Sequence, residues 1–477
     1  MKIVLVRPPF YALFGVTAPK MKTYPLNLLC LATYLNRTER HVAAIVDGEN
    51  ISVPGLEPPE GAARDNPELV MNRGVDGMVE VLENPDHDLW RRIERSILAQ
   101  EPDLVGITAN SGNMDTVKRL VERLKPHKLP VILGGSHPTV LPEQSIVYTG
   151  ADMVVTGEGE QALVDVMDSL QEGRGLGRIP SLAWKDDAAV TVNPRGELLL
   201  DIDGLPIPDR TLIDRSDYFG DVLITGRGCP FNCAYCASRN IWGKRVRFRS
   251  VPSIISELRL LRDQARKPLR MPGRWVVKVV DDTFTVHRKR TIELLDEIIA
   301  EDLNCFEYTG GVRADTLDEE LVQKMRQANF RRVTLGVESG SPRILKSIHK
   351  GESNEDVKRA VNLLRQAGIG SHAFFMIGLP DETPEDIELS KALILDAQPD
   401  YVEINMVTPY PGTEIFDKLM PGDPLKIDRW YRWFHQGMAT HSDRLGYDLD
   451  RAYRDFLDFA GQYHSSKDRQ SPEERSV

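Results

Sequence analysis

The sequence predicts an α/β protein made of two successive series of parallel βα units. Three observations carry this. Short apolar runs alternate with amphipathic helical stretches from residue 2 to about residue 420. A connector with three prolines, DIDGLPIPDRTLID at 201–214, interrupts the rhythm. The second series holds six strand–helix units in about 200 residues, short of the roughly 250 that a closed eight-unit barrel needs.

Composition bounds the function. The chain has 477 residues, enough for two or three domains. Its 41% hydrophobic and 27% charged residues are those of an ordinary globular protein. Sixty Lys and Arg against 71 Asp and Glu leave a net charge of −11, which argues against a nucleic-acid partner. No apolar run reaches the roughly 18 residues of a membrane span. The apolar start is cut short by Arg7-Pro8-Pro9 with no small-residue cleavage site after it. It reads as a buried strand rather than a signal peptide, so the chain is expected in the cytoplasm.

In the first series, strands are expected at 2–7, 42–47, 104–108, 131–133 and 153–156. Helices fall at 26–36, 88–100, 116–124 and 160–170. An insertion at 51–88, rich in Pro, Gly and acids, is too long for a plain connection and reads as a lid or surface loop. The first domain therefore spans 1–172. A linker at 173–220 carries a short β-ribbon at 182–192. The second series spans 221–420, with strands at 222–226, 275–280, 306–309, 333–337, 373–377 and 402–407. A small, mainly helical domain is expected at 421–477, with a helix at 449–459 and a frayed end from 465. Its Trp430, Tyr431, Trp433 and Phe434 are candidates for a substrate pocket or for core.

The five cysteines are Cys30, Cys229, Cys233, Cys236 and Cys305. Cys30 and Cys305 read as structural thiols, Cys30 in an apolar run as a buried one. The other three follow the first strand of the second series as C-x3-C-x2-C. Thiolates are soft ligands for zinc or iron–sulfur. Zinc would take four protein ligands, and neither remaining cysteine is near in sequence. Three thiolates on a [4Fe–4S] cluster would leave one iron free.

With Tyr235 before the third cysteine, this motif resembles the signature of the radical S-adenosylmethionine (SAM) superfamily, over roughly 221–415. The resemblance implies a partial (β/α)6 barrel in which Cys229, Cys233 and Cys236 hold the cluster. Its free iron would chelate SAM, and reduction would release a 5′-deoxyadenosyl radical. By the same resemblance the ends of later strands meet SAM. These are Asp281 and Asp282 in DDTF, Arg313 in GVRAD, Glu338 and Ser339 in GVESG, and Gly378 in GLPDET. An electron donor such as flavodoxin or ferredoxin is implied.

The first domain resembles the Rossmann-like, flavodoxin-like cobalamin (B12)-binding domain of one branch of that superfamily. The segments GGSHPT and GEGE and the connector LPIPDR carry the likeness. It implies cobalamin near Asp47, Thr108, Asn110, Gly134, Gly135, His137 and Glu158. One position departs from the wider B12 pattern: the histidine of an Asp-x-His loop is replaced by Glu49. Cobalamin is therefore expected with its own base displaced and no histidine below cobalt. His137 reads as a loop histidine before it reads as a ligand.

The branch includes methyltransferases acting on unactivated carbon or phosphorus and the anaerobic cyclase of bacteriochlorophyll synthesis. The leading expectation is hydrogen abstraction from a small molecule, then methyl transfer from methylcobalamin. The alternatives are radical cyclisation, ring contraction, dehydration or oxidation, with or without cobalamin. Methylthiolation needs a second cluster and about three more cysteines than remain. A cobalamin-based sensor would leave the cysteine motif without a role.

Overall fold

The computed structural model describes residues 1–10, 23–51, 77–186, 189–218, 220–264, 276–303, 306–308, 311–433 and 440–470. The chain divides into two compact units. The first comprises Met1–Phe219, Asn240–Trp242 and Gly422–Phe434. The second comprises Gly220–Arg239, Gly243–Pro421 and His435–Val477.

The first unit holds one seven-stranded sheet in the order β2-β1-β3-β4-β5-β6-β7. Strands β1 (Lys2–Arg7), β2 (Val42–Asp47), β3 (Leu104–Thr108), β4 (Val131–Gly134) and β5 (Met153–Val155) are parallel. β1 reads KIVLVR, with its four central residues buried, as a strand covered on both faces should. The helices are α1 (Leu26–Arg37), α2 (Asp88–Leu98), α3 (Met114–Leu124), the short α4 (Ser136–Val140), α5 (Pro142–Thr149) and α6 (Glu160–Glu172). In α2 the buried residues are Leu89, Trp90, Ile93 and Ile97, one helical stripe. Order 2-1-3-4-5 reverses direction between β1 and β3, and the ends of strands at such a switch are where α/β sheets bind ligands.

Two expectations change here. The ribbon expected in the linker, β6 (Leu182–Asp186) and β7 (Ala189–Val192), extends this sheet, with β6 antiparallel to β5. Leu182 and Ala183 are fully buried by that pairing. Cys30, expected in the core, is only half-buried on α1. Most of the insertion at 51–88 lies outside the described residues, but 77–83 is helical. Its Val81 carbonyl accepts the Trp90 indole N–H at 2.9 Å, which seats that turn on α2.

The second unit contains all six expected strands. β8 (Asp221–Leu223), β11 (Val277–Val279) and β12 (Phe306–Tyr308) form one parallel sheet. β13 (Gly311–Val312), β14 (Arg332–Glu338), β15 (Gly370–Ile377) and β16 (Tyr401–Met406) form a second. A short antiparallel pair, β9 (Gly226–Arg227) and β10 (Arg247–Phe248), follows β8. The short α7 (Ser238–Trp242) lies between them. The other helices are α8 (Val251–Gln264), α9 (Arg288–Ala300), α10 (Glu319–Gln327), α11 (Pro342–Ser347), α12 (Asn354–Gln366), α13 (Pro384–Ala397) and α14 (Glu414–Leu419). Strand followed by helix, repeated in chain order around two parallel sheets, is the partial (β/α)6 barrel expected.

The 421–477 segment is not one body. Residues 422–434 belong to the first unit, where Trp430 and Trp433 are buried with ring centroids 4.8 Å apart. They are core there, not the lining of an open pocket, and Phe434 lies outside the described residues. The last helix, α15 (Leu449–Gln470), joins the barrel. Leu449, Tyr453, Phe456, Ala460 and Tyr463 recur every three or four residues and enter the same core as Phe375 and Ile404. α15 also runs past residue 465, where fraying was expected, because Ser465 and Ser466 bond back to Gly461 and Tyr463 and Lys467 reaches the Gln398 carbonyl.

Candidate functional site

The cysteine loop is held at its ends by one carboxylate. Asp282, just after β11, accepts from Gly228 N (3.0 Å), the residue before Cys229. Its other oxygen accepts from Ser238 Oγ (2.8 Å), two residues after Cys236. In the middle, Ala234 donates to the Ile348 carbonyl (2.9 Å) and accepts from Ile415 N (3.1 Å). Its methyl packs with Ile344, Leu345, Leu379 and Leu419. Asp281 does not face the thiols. It is buried, and both its oxygens take Thr225, through N (2.6 Å) and the hydroxyl. Burial lifts its pKa to about 6. Of the two residues expected to contact SAM, Asp282 is thus tied to both ends of the cysteine loop and Asp281 to Thr225 ahead of it.

Burial pushes the Cys236 thiol up to about 11, and raises Cys233 as well. Lys350, a hydrogen bond from Tyr235, and Arg313 oppose the shift at Cys233. Thr283 Oγ1 lies 3.2 Å from Cys229 Sγ. Among the described residues no three Cys, His, Asp or Glu side chains converge on a single ion. Three thiols in one pinned loop, with no imidazole or carboxylate among the donors, suit iron–sulfur chemistry.

Beside the loop lies a buried ionic cluster that the sequence reading saw only in part. Glu338 ends β14 at a register shift, with φ +70°, a conformation rare outside glycine. Its Oε1 accepts from Tyr235 Oη (2.9 Å) and from Lys350 Nζ (3.1 Å). Lys350 also lies 3.3 Å from Glu352 Oε2 and 3.4 Å from Tyr235 Oη. Burial alone would lower the Lys350 pKa, but Glu338 and Glu352 more than offset it and hold the ammonium charged. An added Cβ at Gly336 would stand 2.7 Å from Glu338 Oε1 and 3.1 Å from Lys350 Nζ, so a larger residue there would displace this ion pair. Arg313 pairs with Asp315 (2.7 Å), donates to the Lys350 carbonyl (2.5 Å) and stacks 3.8 Å over the Phe231 ring. Tyr235, Glu338 and Arg313 are therefore brought together against the cysteine loop. Ser339 turns away: it is fully buried, and its hydroxyl accepts from Ser341 N (3.1 Å) and lies 3.5 Å from Ser390 Oγ.

Lys350, Glu352 and Thr283 were missed. Thr283 stands in the DDTF run, but nothing local marks it. Lys350 and Glu352 sit in a polar turn after α11 and meet Tyr235 and Arg313 only through the fold. Gly378, after β15, has φ +92° and is held through its N–H by Glu382 and through its carbonyl by His441.

In the first unit the expected cofactor residues separate into groups. Thr108 and Gly134 are register partners at the ends of β3 and β4. Thr108 Oγ1 accepts from Asn27 Nδ2 (3.1 Å). Asn110 caps the following turn through reciprocal bonds with Asn113. A side chain added at Gly134 meets nothing within 4 Å, so this strand end opens on free space. At Gly135, φ is +112° and an added Cβ would stand 2.3 Å from the Ala109 carbonyl oxygen. These four sit together at the ends of β3 and β4.

The other three have structural partners. Asp47 forms a two-pronged ion pair with Arg7 (Nε to Oδ1, 2.7 Å) and accepts Tyr218 Oη at 2.7 Å. Glu158 accepts from Leu199 N (2.9 Å) and so ties down the linker. His137 is 2% exposed. Its Nδ1 lies 2.9 Å from Ser111 Oγ and its Nε2 2.9 Å from Gln144 Oε1, so both nitrogens are engaged by side chains. Burial lowers its pKa to about 4. Glu49, where the wider B12 pattern has histidine, is buried and accepts from Phe10 N (2.8 Å). The open end of β4 at Gly134 leaves room for a ligand held by packing and backbone, and the imidazole of His137 beside it has both nitrogens engaged by side chains.

Fold and thiol loop together define a two-unit enzyme with a cluster-bearing barrel and a Rossmann-like ligand unit. The family description "Radical SAM superfamily" matches residues 223–394, and "B12 binding domain" matches 14–167. The chain belongs to the radical SAM superfamily, in the branch that carries a B12-binding domain. Its cofactors are accordingly a [4Fe–4S] cluster, SAM and cobalamin.

Among its relatives, an uncharacterized methyltransferase of Pyrococcus horikoshii is 31% identical over 91% of this chain and 86% of its own length. The anaerobic magnesium-protoporphyrin IX monomethyl ester cyclase of Rubrivivax gelatinosus is 28% identical over 70% of this chain, which spans only 61% of it. The fold is that of the radical SAM methyltransferase TsrM from Kitasatospora setae, with a TM-score of 0.68 at 19% identity, covering 88% of this chain and 78% of that one.

Proposed function

We propose that this chain methylates an unactivated carbon or phosphorus of a small molecule by radical chemistry. The observation that carries the reading is the pairing of a pinned three-thiol loop in one unit with open, glycine-lined strand ends in the other. One SAM supplies the methyl group and leaves as S-adenosylhomocysteine. A second accepts one electron and leaves as methionine and 5′-deoxyadenosine, having taken the substrate hydrogen. Cobalamin, when bound, supplies the methyl carrier.

In this reading Cys229, Cys233 and Cys236 hold the cluster, and Asp282 and Thr283 fix their loop. Tyr235, Glu338, Lys350 and Arg313 form the polar wall that receives SAM, with Gly378 on the adenine side. Thr108, Asn110, Gly134 and Gly135 line the cobalamin end. His137 is a packed core histidine of that end, and Asp47 and Glu158 brace the loops around it. Each methyl transferred would need two electrons, one to cleave SAM and one to restore the methyl carrier, and a flavodoxin or ferredoxin would supply both. The net charge of −11 speaks against a polynucleotide substrate. Among the described residues no helix is long and apolar enough to cross a membrane. A cytoplasmic setting fits a cluster that oxygen would destroy.

Relatives named as methyltransferases support methyl transfer, among them the cytidylyl-2-hydroxyethylphosphonate methyltransferase of Streptomyces wedmorensis, 25% identical over 79% of this chain. The cyclase relatives support a second reading, radical ring formation on the same two units. The test is anaerobic reconstitution with iron, sulfide and cobalamin, followed by metal and product analysis. Methyl transfer predicts about four iron and one cobalt per chain, with S-adenosylhomocysteine and 5′-deoxyadenosine formed together. Release of 5′-deoxyadenosine without S-adenosylhomocysteine would favour the second reading.

A further inference from the structure

We propose that the stretch from His441 to Leu449 is a positioning element for SAM, acting through the peptide of Gly378. The proposal rests on the reading of Gly378-Leu379-Pro380 as the adenine-side loop. Residues 441–449 lie outside both family matches, the later of which ends at 394.

The geometry is specific. Gly378 N donates to Glu382 Oε2 at 2.6 Å, and the same oxygen accepts Tyr447 Oη at 2.7 Å. On the other side the Gly378 carbonyl accepts from His441 Nε2 at 2.8 Å. His441 and Leu449 are fully buried and Glu382 nearly so. An added Cβ at Gly378 would stand 3.1 Å from His441 Nε2 and 3.2 Å from both Leu449 methyls. The carbonyl of this left-handed residue is therefore fixed by a side chain 63 residues away, and its N–H by Glu382, four residues away, whose carboxylate Tyr447 holds from a further 65 residues along the chain. Leu449 opens α15, whose Tyr453 and Phe456 lie in the barrel core. The loop takes its shape from the core through α15, not only from β15. His441 and Tyr447 are positioning residues: they set the path of the loop without contacting SAM.

The test uses the full chain, reconstituted anaerobically with iron and sulfide, and measures the SAM dissociation constant by equilibrium dialysis. Iron per chain and the melting midpoint are recorded for each variant. Tyr447→Phe and His441→Ala should each weaken SAM binding about fivefold to tenfold, the loss of one hydrogen bond to a buried partner. Iron content should stay at the unmodified chain's level. His441→Gln, which can still donate an amide N–H to the carbonyl, should recover most of the loss. Tyr447→Phe removes only a hydroxyl and decides the matter if His441→Ala loses iron or melts early. Gly378→Ala separates the two readings. If it weakens SAM binding while Tyr447→Phe does not, the proposal is overturned and the loop remains a SAM contact. If neither variant changes SAM affinity, the adenine-side reading of Gly378 is itself overturned.

Discussion

Lys350 is the residue on which the barrel's buried charge balances. It is 5% exposed and faces Glu338, Glu352 and Tyr235. Removing the cation leaves buried Glu338 without an ion-pair partner and Glu352 with only Arg313, 3.9 Å away, a change that costs about 3–5 kcal/mol in comparable buried pairs. Lys350→Met should therefore lower the urea midpoint of the cluster-free chain strongly. Adding Glu352→Gln to that variant should recover part of the loss, and strict additivity of the two changes would contradict the shared network. His137 gives a prediction of pH dependence. Its folded pKa of about 4 lies below the ordinary 6.5, so its contribution is full above 6.5 and is lost as pH falls toward 4. Protection of the α5 amides, taken relative to the intrinsic exchange rate at each pH, should fall between pH 6.5 and 4 in the native chain, and much less in His137→Gln. The legibility of these residues follows their range in sequence. Three cysteines within eight residues declare themselves. Asp282 meets Gly228 across 54 residues and Lys350 meets Tyr235 across 115, and no local pattern encodes such pairs.

At the level of elements, apolar runs bounded by turn residues located all six barrel strands and all five parallel strands of the first sheet. Strands buried on both faces leave that mark whatever their partners are. The same signal could not assign 421–477, because an amphipathic stripe tells which face is buried but not against what. The α15 stripe goes to the barrel and the Trp430 pair to the first unit. Phe456, fully buried and with its ring centroid 6.4 Å from that of Phe375, is the centre of the α15 seat. Phe456→Ala should destabilise the chain by about 3–5 kcal/mol, the usual cost of an aromatic-sized cavity. It should also raise proteolytic cleavage within α15. Unchanged protection there would mean that the helix is held by its polar ends alone. On the first unit, Asp115 accepts from Tyr431 N at 2.6 Å and from Tyr148 Oη, which fixes the turn that carries Trp430 over His137.

At the scale of the whole molecule, the question is what supports cobalt in a B12-binding unit without the usual histidine. Glu49 occupies that sequence position, and its carboxylate is committed to Phe10 N. The unit's histidines at 41, 87, 127 and 137 are each engaged elsewhere. His41 bonds Asp168 (2.9 Å), His87 caps α2, His127 bonds Glu94 (2.8 Å), and His137 bridges Ser111 and Gln144. Recruiting any of them would break a made contact. Cobalamin in this chain should therefore carry no protein nitrogen below cobalt, and its own base should be displaced by the walls of the unit. The measurement is electron paramagnetic resonance of the bound Co(II) form. The expected spectrum lacks the splitting that an axial nitrogen imposes on each cobalt line. A triplet splitting that persists in chain grown on 15N-free medium but changes to a doublet when only histidine is 15N-labelled would identify a protein imidazole and overturn the assignment.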